Sequence, residues 1–213
     1  MFSHARTLSP LSVAVIAFDG ISPFHLSVPC LVFGEHREQD GIPANTVRVC
    51  SETPGRLNTS AGFAIEAPCG LERLENADTI IVPSWRDTME PASSELTAAL
   101  RRAHARGAQI VGLCLGAFVL ADAGLLDGRR ATTHWIAAPL FAQRFPKVKL
   151  DQDVLYVDDG NLTTSAGTAA SLDCCLHLLR KRIGAERTNR IARRLVVSPH
   201  RQGGQAQYIE QPL

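Results

Sequence analysis

Apolar and polar positions along the chain fall into two alternating patterns. Short unbroken apolar runs bounded by turn-forming residues predict buried strands at residues 11–18, 46–50, 79–82 and 109–113. The first is closed by Asp19-Gly20; the third follows Asn76 and Asp78 and is stopped by Pro83. Between the runs, residues 23–33, 93–106, 115–123, 138–144 and 168–182 read as helices. In 93–106 the apolar face is Leu96, Ala99, Leu100 and Ala103, and Gly107 ends the helix. In 168–182 it is Ala169, Leu172, Cys175, Leu176 and Leu179. Residues 154–157 and 161–164 predict a hairpin across Asp158-Asp159-Gly160. Strands alternating with helices imply an α/β domain, a mostly parallel sheet covered on both faces. Such sheets bind ligands beyond the carboxyl ends of their strands, here the loops after Phe18, Val82 and Leu113.

Length and composition narrow the class. The 213 residues, 45% hydrophobic and 20% charged, suit one globular domain with an appendage. The net charge of +1 hides an asymmetry: residues 1–179 hold 14 Lys/Arg against 19 Asp/Glu, whereas 180–201 hold eight basic residues against Glu186 alone. A basic end on an acidic body is either a solvated helix face or a nucleic-acid contact, and the acidic body itself is not expected to bind DNA. The six cysteines (Cys30, Cys50, Cys69, Cys114, Cys174, Cys175) form no Cys-x-x-Cys pair, so no metal site and no thioredoxin-like motif is expected. No apolar stretch has the length of a signal peptide or of a membrane span, so a cytoplasmic protein with reduced thiols is expected.

The sharpest chemical signal is Gly112-Leu113-Cys114-Leu115-Gly116. A strand runs straight into a helix, with glycines two before and two after the cysteine. Small residues let the chain turn tightly and force the central side chain outward, as in a nucleophile elbow. The position at a helix start also predicts an exposed thiol with a lowered pKa. Two histidines share that rim in sequence: His25, after the first strand, and His134, in Ala131-Thr132-Thr133-His134-Trp135. Asp19 is the best candidate to orient His25. His4, His36, His104, His177 and His200 have no supporting context and read as surface residues.

Three segments carry a resemblance to a known family: the elbow through Ala117, Ala131-Thr132-Thr133-His134-Trp135, and Leu162-Thr163-Thr164-Ser165-Ala166-Gly167. Over residues 11–183 they resemble the ThiJ/PfpI, class I glutamine amidotransferase-like superfamily. That resemblance implies a flavodoxin-like three-layer α/β/α sandwich, mostly parallel, with a nucleophile-elbow cysteine. A narrower likeness, to the amidotransferase-like N-terminal domains of AraC-type transcription regulators, rests on residues 123–135, 190–201 and 203–208. It implies a sensor domain over 1–185. Residues 186–213 would then be a basic helix and linker toward a C-terminal helix-turn-helix domain absent from this chain. The sequence departs from the family's enzymes at three places. His25 stands where many have Glu or Asp, Leu115 where protease-like members have His, and Pro83-Ser84-Trp85 where Pro-Gly-Gly is frequent.

Two uses of the pocket compete. As a sensor, Asp19, Ser84, Trp85, Cys114, Leu115, His134, Trp135 and Ser165 would surround a small-molecule effector, Trp85 stacking on it or covering the thiol. The partners implied are that effector, a second copy in a homodimer, and DNA only through the absent domain; no membrane and no cofactor is expected. As a hydrolase or hydratase acting on a small nitrogen or carbonyl compound, the chain would use Cys114 as nucleophile with His25 and His134 as its catalytic partners. A third reading makes Cys114 a redox sensor.

Overall fold

Long apolar side chains on alternating strands and helices meet in one core, seen here in a computed structural model that describes residues 9–34, 42, 44–204 and 206–207. The elements run β1 (Ser12–Ile16), α1 (Pro23–Gly34), β2 (Thr46–Cys50), β3 (Gly55–Asn58), β4 (Ala64–Ala67), a 3-10 turn (Leu71–Asn76), β5 (Thr79–Val82) and α2 (Ser94–Ala105). They continue with β6 (Gln109–Leu113), α3 (Gly116–Asp122), β7 (Arg130–Ala131), a 3-10 turn (Trp135–Ala137), α4 (Ala138–Arg144) and β8 (Lys149–Leu150). The chain closes with β9 (Tyr156–Asp159), β10 (Leu162–Ser165), α5 (Ala169–Ile183) and α6 (Ala185–Arg194).

The main sheet has six strands in the order β2-β1-β5-β6-β10-β9. Every neighbouring pair is parallel except β10 with β9. β5 is buried along its whole length, as its unbroken Thr-Ile-Ile-Val run predicts for a central strand. α1 packs on α5, and α2 on α3, so both helix pairs bury their apolar faces on the sheet. Ser93 caps α2 by accepting a hydrogen bond from the Leu96 N–H. Phe118 of α3 meets Phe141 of α4 edge to face at 4.9 Å, anchoring the segment that follows the elbow.

Four expectations shift. The hairpin's first strand lies two residues later than the pattern placed it and its second strand one residue later, at β9 and β10. An additional hairpin, β3 with β4, carries exposed Arg56, Asn58 and Glu66 and so left little apolar signal. The apolar face of α5 is broader and turned: Ala170, Cys174, Leu178 and Ile183 are buried, and Ala169 is exposed. Of the histidines read as surface residues, His104 bonds Asn161 at 3.1 Å and His177 bonds Asp158 at 2.7 Å. His4 and His36 lie outside the described residues.

Residues 201–204 and 206–207 depart furthest from the linker-like composition of their stretch. The Leu155 N–H donates to the Gly203 carbonyl at 2.7 Å, and the Gln207 N–H donates to the Asp153 carbonyl at 2.8 Å. Tyr156 donates its hydroxyl to the Arg201 carbonyl at 2.9 Å. Gly203 has to be glycine here, because a Cβ would fall 2.5 Å from the Tyr156 carbonyl oxygen. Arg201, Gly203, Ala206 and Gln207 are therefore docked on β9 and the residues before it.

Candidate functional site

The turn from β6 into α3 is as tight as its glycines suggest. Cys114 has φ 53, a left-handed conformation that costs a non-glycine residue roughly 1–3 kcal/mol. Its backbone is held from both sides: its N–H donates to the Ser165 carbonyl at 2.9 Å, and its carbonyl accepts the Thr133 hydroxyl at 2.9 Å. Close approach does the rest. A Cβ on Gly116 would lie 2.1 Å from the Val82 carbonyl oxygen, and one on Gly167 would lie 2.2 Å from the Cys114 Cβ. The elbow is thus wedged between the end of β5 and the turn after β10.

That wedging buries the thiol. Cys114 is 5% exposed, which corrects the expectation of an outward, solvent-facing side chain. Gly167 lies over the sulfur from a segment distant in sequence, so no local pattern announces the cover. Burial also pushes the thiol pKa up, opposing the lowered value expected at a helix start. Three donors pull the other way: the Leu115 N–H, the Ser84 hydroxyl and the Thr168 N–H. They form a nest that would hold negative charge on sulfur or on an oxygen bound there.

Neither histidine hydrogen-bonds that sulfur. His25, in the first turn of α1, has both ring nitrogens buried with no hydrogen-bond partner. Burial lowers its pKa first, and the charge of His134 lowers it further, so His25 is neutral at pH 7 and near His134. Burial lowers His134 as well. His134 begins the 3-10 turn and accepts the Ile136 N–H on Nδ1 at 3.3 Å, which leaves its proton on Nε2. Asp19 does not orient His25: its carboxylate accepts from the Asn58 N–H at 2.8 Å and from the Asn58 amide at 3.1 Å, tying β1's loop to β3.

The remaining expected residues divide between core and rim. Trp85 is 3% exposed, with its indole N–H on the Glu90 carbonyl at 3.0 Å and its ring edge on Phe18 at 5.4 Å. It fills the core under the loop, which corrects its expected stacking on a ligand. Ser165 is fully buried and spends its hydroxyl oxygen on the Gly167 N–H at 3.1 Å, a structural use. Trp135 and His134 stack with centroids 6.0 Å apart and line a cavity of about 240 Å³. Its other polar walls are Thr168, Arg201 and Gln207, none of which the sequence had marked for the site. The unusual Gly-Gly-Gln-Ala-Gln stretch was the available signal; its composition suggested a linker instead. Among the described residues, no three His, Cys, Asp or Glu side chains cluster to hold a metal ion, and no helix is long and apolar enough to cross a membrane.

Comparison with known proteins now bears on this arrangement. Residues 11–181 match the profile of the DJ-1/PfpI family. The chain is 32% identical over 149 residues to the HTH-type transcriptional regulator CdhR of Pseudomonas aeruginosa, covering 70% of this chain and 44% of that protein. It is 31% identical over 144 residues to an isonitrile hydratase of Pseudomonas putida, covering 67% of this chain and 62% of the enzyme. The fold matches the crystal structure of an AraC family transcriptional regulator from Pseudomonas putida with a TM-score of 0.74, at 20% identity, over 87% of this chain and all of that one. The chain therefore spans less than half the length of the CdhR regulator.

Proposed function

The chain belongs to the DJ-1/PfpI family, and from that premise we propose that it is the effector-sensing and dimerising domain of an AraC-type transcription regulator. It takes a small molecule beside the Cys114 elbow with little or no catalysis, and DNA is read by a helix-turn-helix domain that follows residues 186–213. The observation that carries this reading is the state of the thiol. A nucleophile needs a thiolate and a base within hydrogen-bond reach. Cys114 is buried, burial raises its pKa, and neither histidine hydrogen-bonds its sulfur: both ring nitrogens of His25 lack a partner, and His134 Nδ1 accepts from Ile136. The relation to CdhR, named as a regulator, supports the same use of the fold.

The alternative is a cysteine-dependent hydratase or hydrolase. It is favoured by the Leu115, Ser84 and Thr168 donors around the sulfur and by the relation to a protein named isonitrile hydratase. A redox-sensing thiol is less well supported, because burial disfavours the thiolate that oxidants attack.

The deciding experiment measures the protein in its source cell by immunoblot against the 23.0 kDa of this chain, then footprints it on the DNA flanking its own gene. The regulator reading expects a product longer by roughly 100 residues that protects a specific site. A 23.0 kDa product that protects none refutes it and moves the assignment to thiol chemistry.

A further inference from the structure

The 240 Å³ cavity beside the elbow has walls from two parts of the chain that are far apart in sequence. Leu155, before β9, and Thr168, at the turn into α5, form the fixed side. Arg201 and Gln207, from the end of the chain, form the other, and His134 with Trp135 closes the rim. Among the described residues, no Asp or Glu lines this space. Its charged and hydrogen-bonding lining includes the Arg201 guanidinium and the proton on His134 Nε2, while the Gln207 amide hydrogens are spent on backbone carbonyls.

The same end segment is anchored by bonds that touch the cavity's other walls. The Gln207 side-chain amide donates to the carbonyls of Gln152 at 2.7 Å, Val154 at 3.1 Å and Thr133 at 3.2 Å. Val154 precedes Leu155, and Thr133 precedes His134. Arg201 donates to Asp173 at 3.2 Å, and its side chain as a whole is two-fifths exposed. A molecule entering the cavity therefore meets a wall whose position is set by a handful of bonds in one short segment.

We infer that this cavity is the effector site, that it takes a small carboxylate, and that filling it and docking the end segment are one coupled equilibrium. The inference rests on the sensor reading above and adds the ligand's chemistry and the element that reports it. An arginine fork matches a carboxylate in geometry and charge, and the His134 Nε2–H adds a second directed donor. Leu155 and the alanines at the start of α5 take an apolar body. At roughly 30 Å³ for each water-sized group, the space admits a ligand on the order of eight heavy atoms. Because coupling is reciprocal, whatever tightens the segment must tighten the ligand by the same factor. The segment follows the last helix of the domain in sequence, so its docking is what a following domain would sense.

The test uses the 213-residue chain, straight-chain monocarboxylates of two to six carbons, and the matched primary amides. Binding is followed by Trp135 fluorescence, with Trp135→Phe giving the background from Trp85. Hydrogen exchange is read at the backbone N–H groups of Leu155, Tyr156 and Gln207, all three bonded across the junction. The expected result is that at least one carboxylate saturates, that its amide binds about tenfold more weakly, and that exchange at the three groups slows at least threefold. Arg201→Gln should bring acid and amide within twofold, and Gln207→Ala should weaken the acid while speeding exchange. No carboxylate binding, or equal binding of acid and amide, overturns the ligand class; saturation with unchanged exchange overturns the coupling. These failures leave the immunoblot and footprint untouched, and a 23.0 kDa product leaves these titrations untouched, so the two readings fall separately.

Discussion

Three glycines separate the two physical reasons an elbow needs glycine, and Gly167→Ala is the informative change. Gly167 has φ +86, and a Cβ there would meet the Cys114 Cβ at 2.2 Å and Sγ at 2.6 Å. Gly20 has nearly the same φ, +84, with nothing within 4 Å. Gly116 lacks the positive φ and would place its Cβ 2.1 Å from the Val82 carbonyl oxygen. An alanine at positive φ costs about 1–2 kcal/mol, offset by about 0.4–1 kcal/mol of lost freedom in the unfolded chain. Gly20→Ala should therefore destabilise by roughly 1 kcal/mol or less. Forcing a methyl into a filled site adds about 1–3 kcal/mol, so Gly167→Ala should cost roughly 3 kcal/mol and Gly116→Ala roughly 2. For a domain this long, 1 kcal/mol lowers Tm by about 2–4 °C. Urea unfolding followed by circular dichroism, with Tm as a check, measures all three. If Gly167→Ala falls within 0.5 kcal/mol of Gly20→Ala, the contact with Cys114 is not what demands glycine at that position, and the account of the wedged elbow fails; the threshold is about the scatter expected for independent sites.

Two further outcomes follow from charge and burial. Iodoacetamide labelling of Cys114, read by peptide mass spectrometry, should be slower at pH 7 than for a free cysteine and should keep rising through pH 9, because burial raises the thiol above its ordinary range; a plateau below pH 8 contradicts this. Burial alone would raise the Asp158 carboxyl, but hydrogen bonds from Lys181 and His177 outweigh it and hold the pKa below the ordinary value, so the stabilisation is complete above about pH 4 and is lost as pH falls through the folded value. Asp158→Asn should then cost roughly 1–3 kcal/mol at pH 7, the difference from the parent shrinking in acid; a constant difference from pH 7 to pH 3 would refute the assignment.

Elements whose signal is local were legible in the sequence. β2, β5, β6 and α4 lie where their apolar runs and flanking turn residues placed them. β3 and β4 were not, because a partly exposed hairpin holds its shape by backbone pairing and carries few apolar side chains. The candidate site splits the same way. Gly112 and Gly116 announce the turn at Cys114, but the sulfur's burial is decided by Gly167 and Ser84, which reach it from other parts of the chain. Trp85 offered stacking chemistry in sequence; Phe18 and the Glu90 carbonyl, which only the fold brings together, turn it inward. Gln207 looked like part of a polar tail because its three acceptor carbonyls belong to two distant loops.

The docking of Arg201 to Gln207 has a consequence for the health of the molecule outside any signalling. β9 is the last strand on its side of the sheet, and the Gly203 carbonyl occupies N–H groups at its start. A strand border left open is a template on which a second chain can add itself. Proteolysis or truncation that removes this segment would bare the border beside the turn into β9. The expected sequel is slow self-association through that border, with the fold behind it still intact.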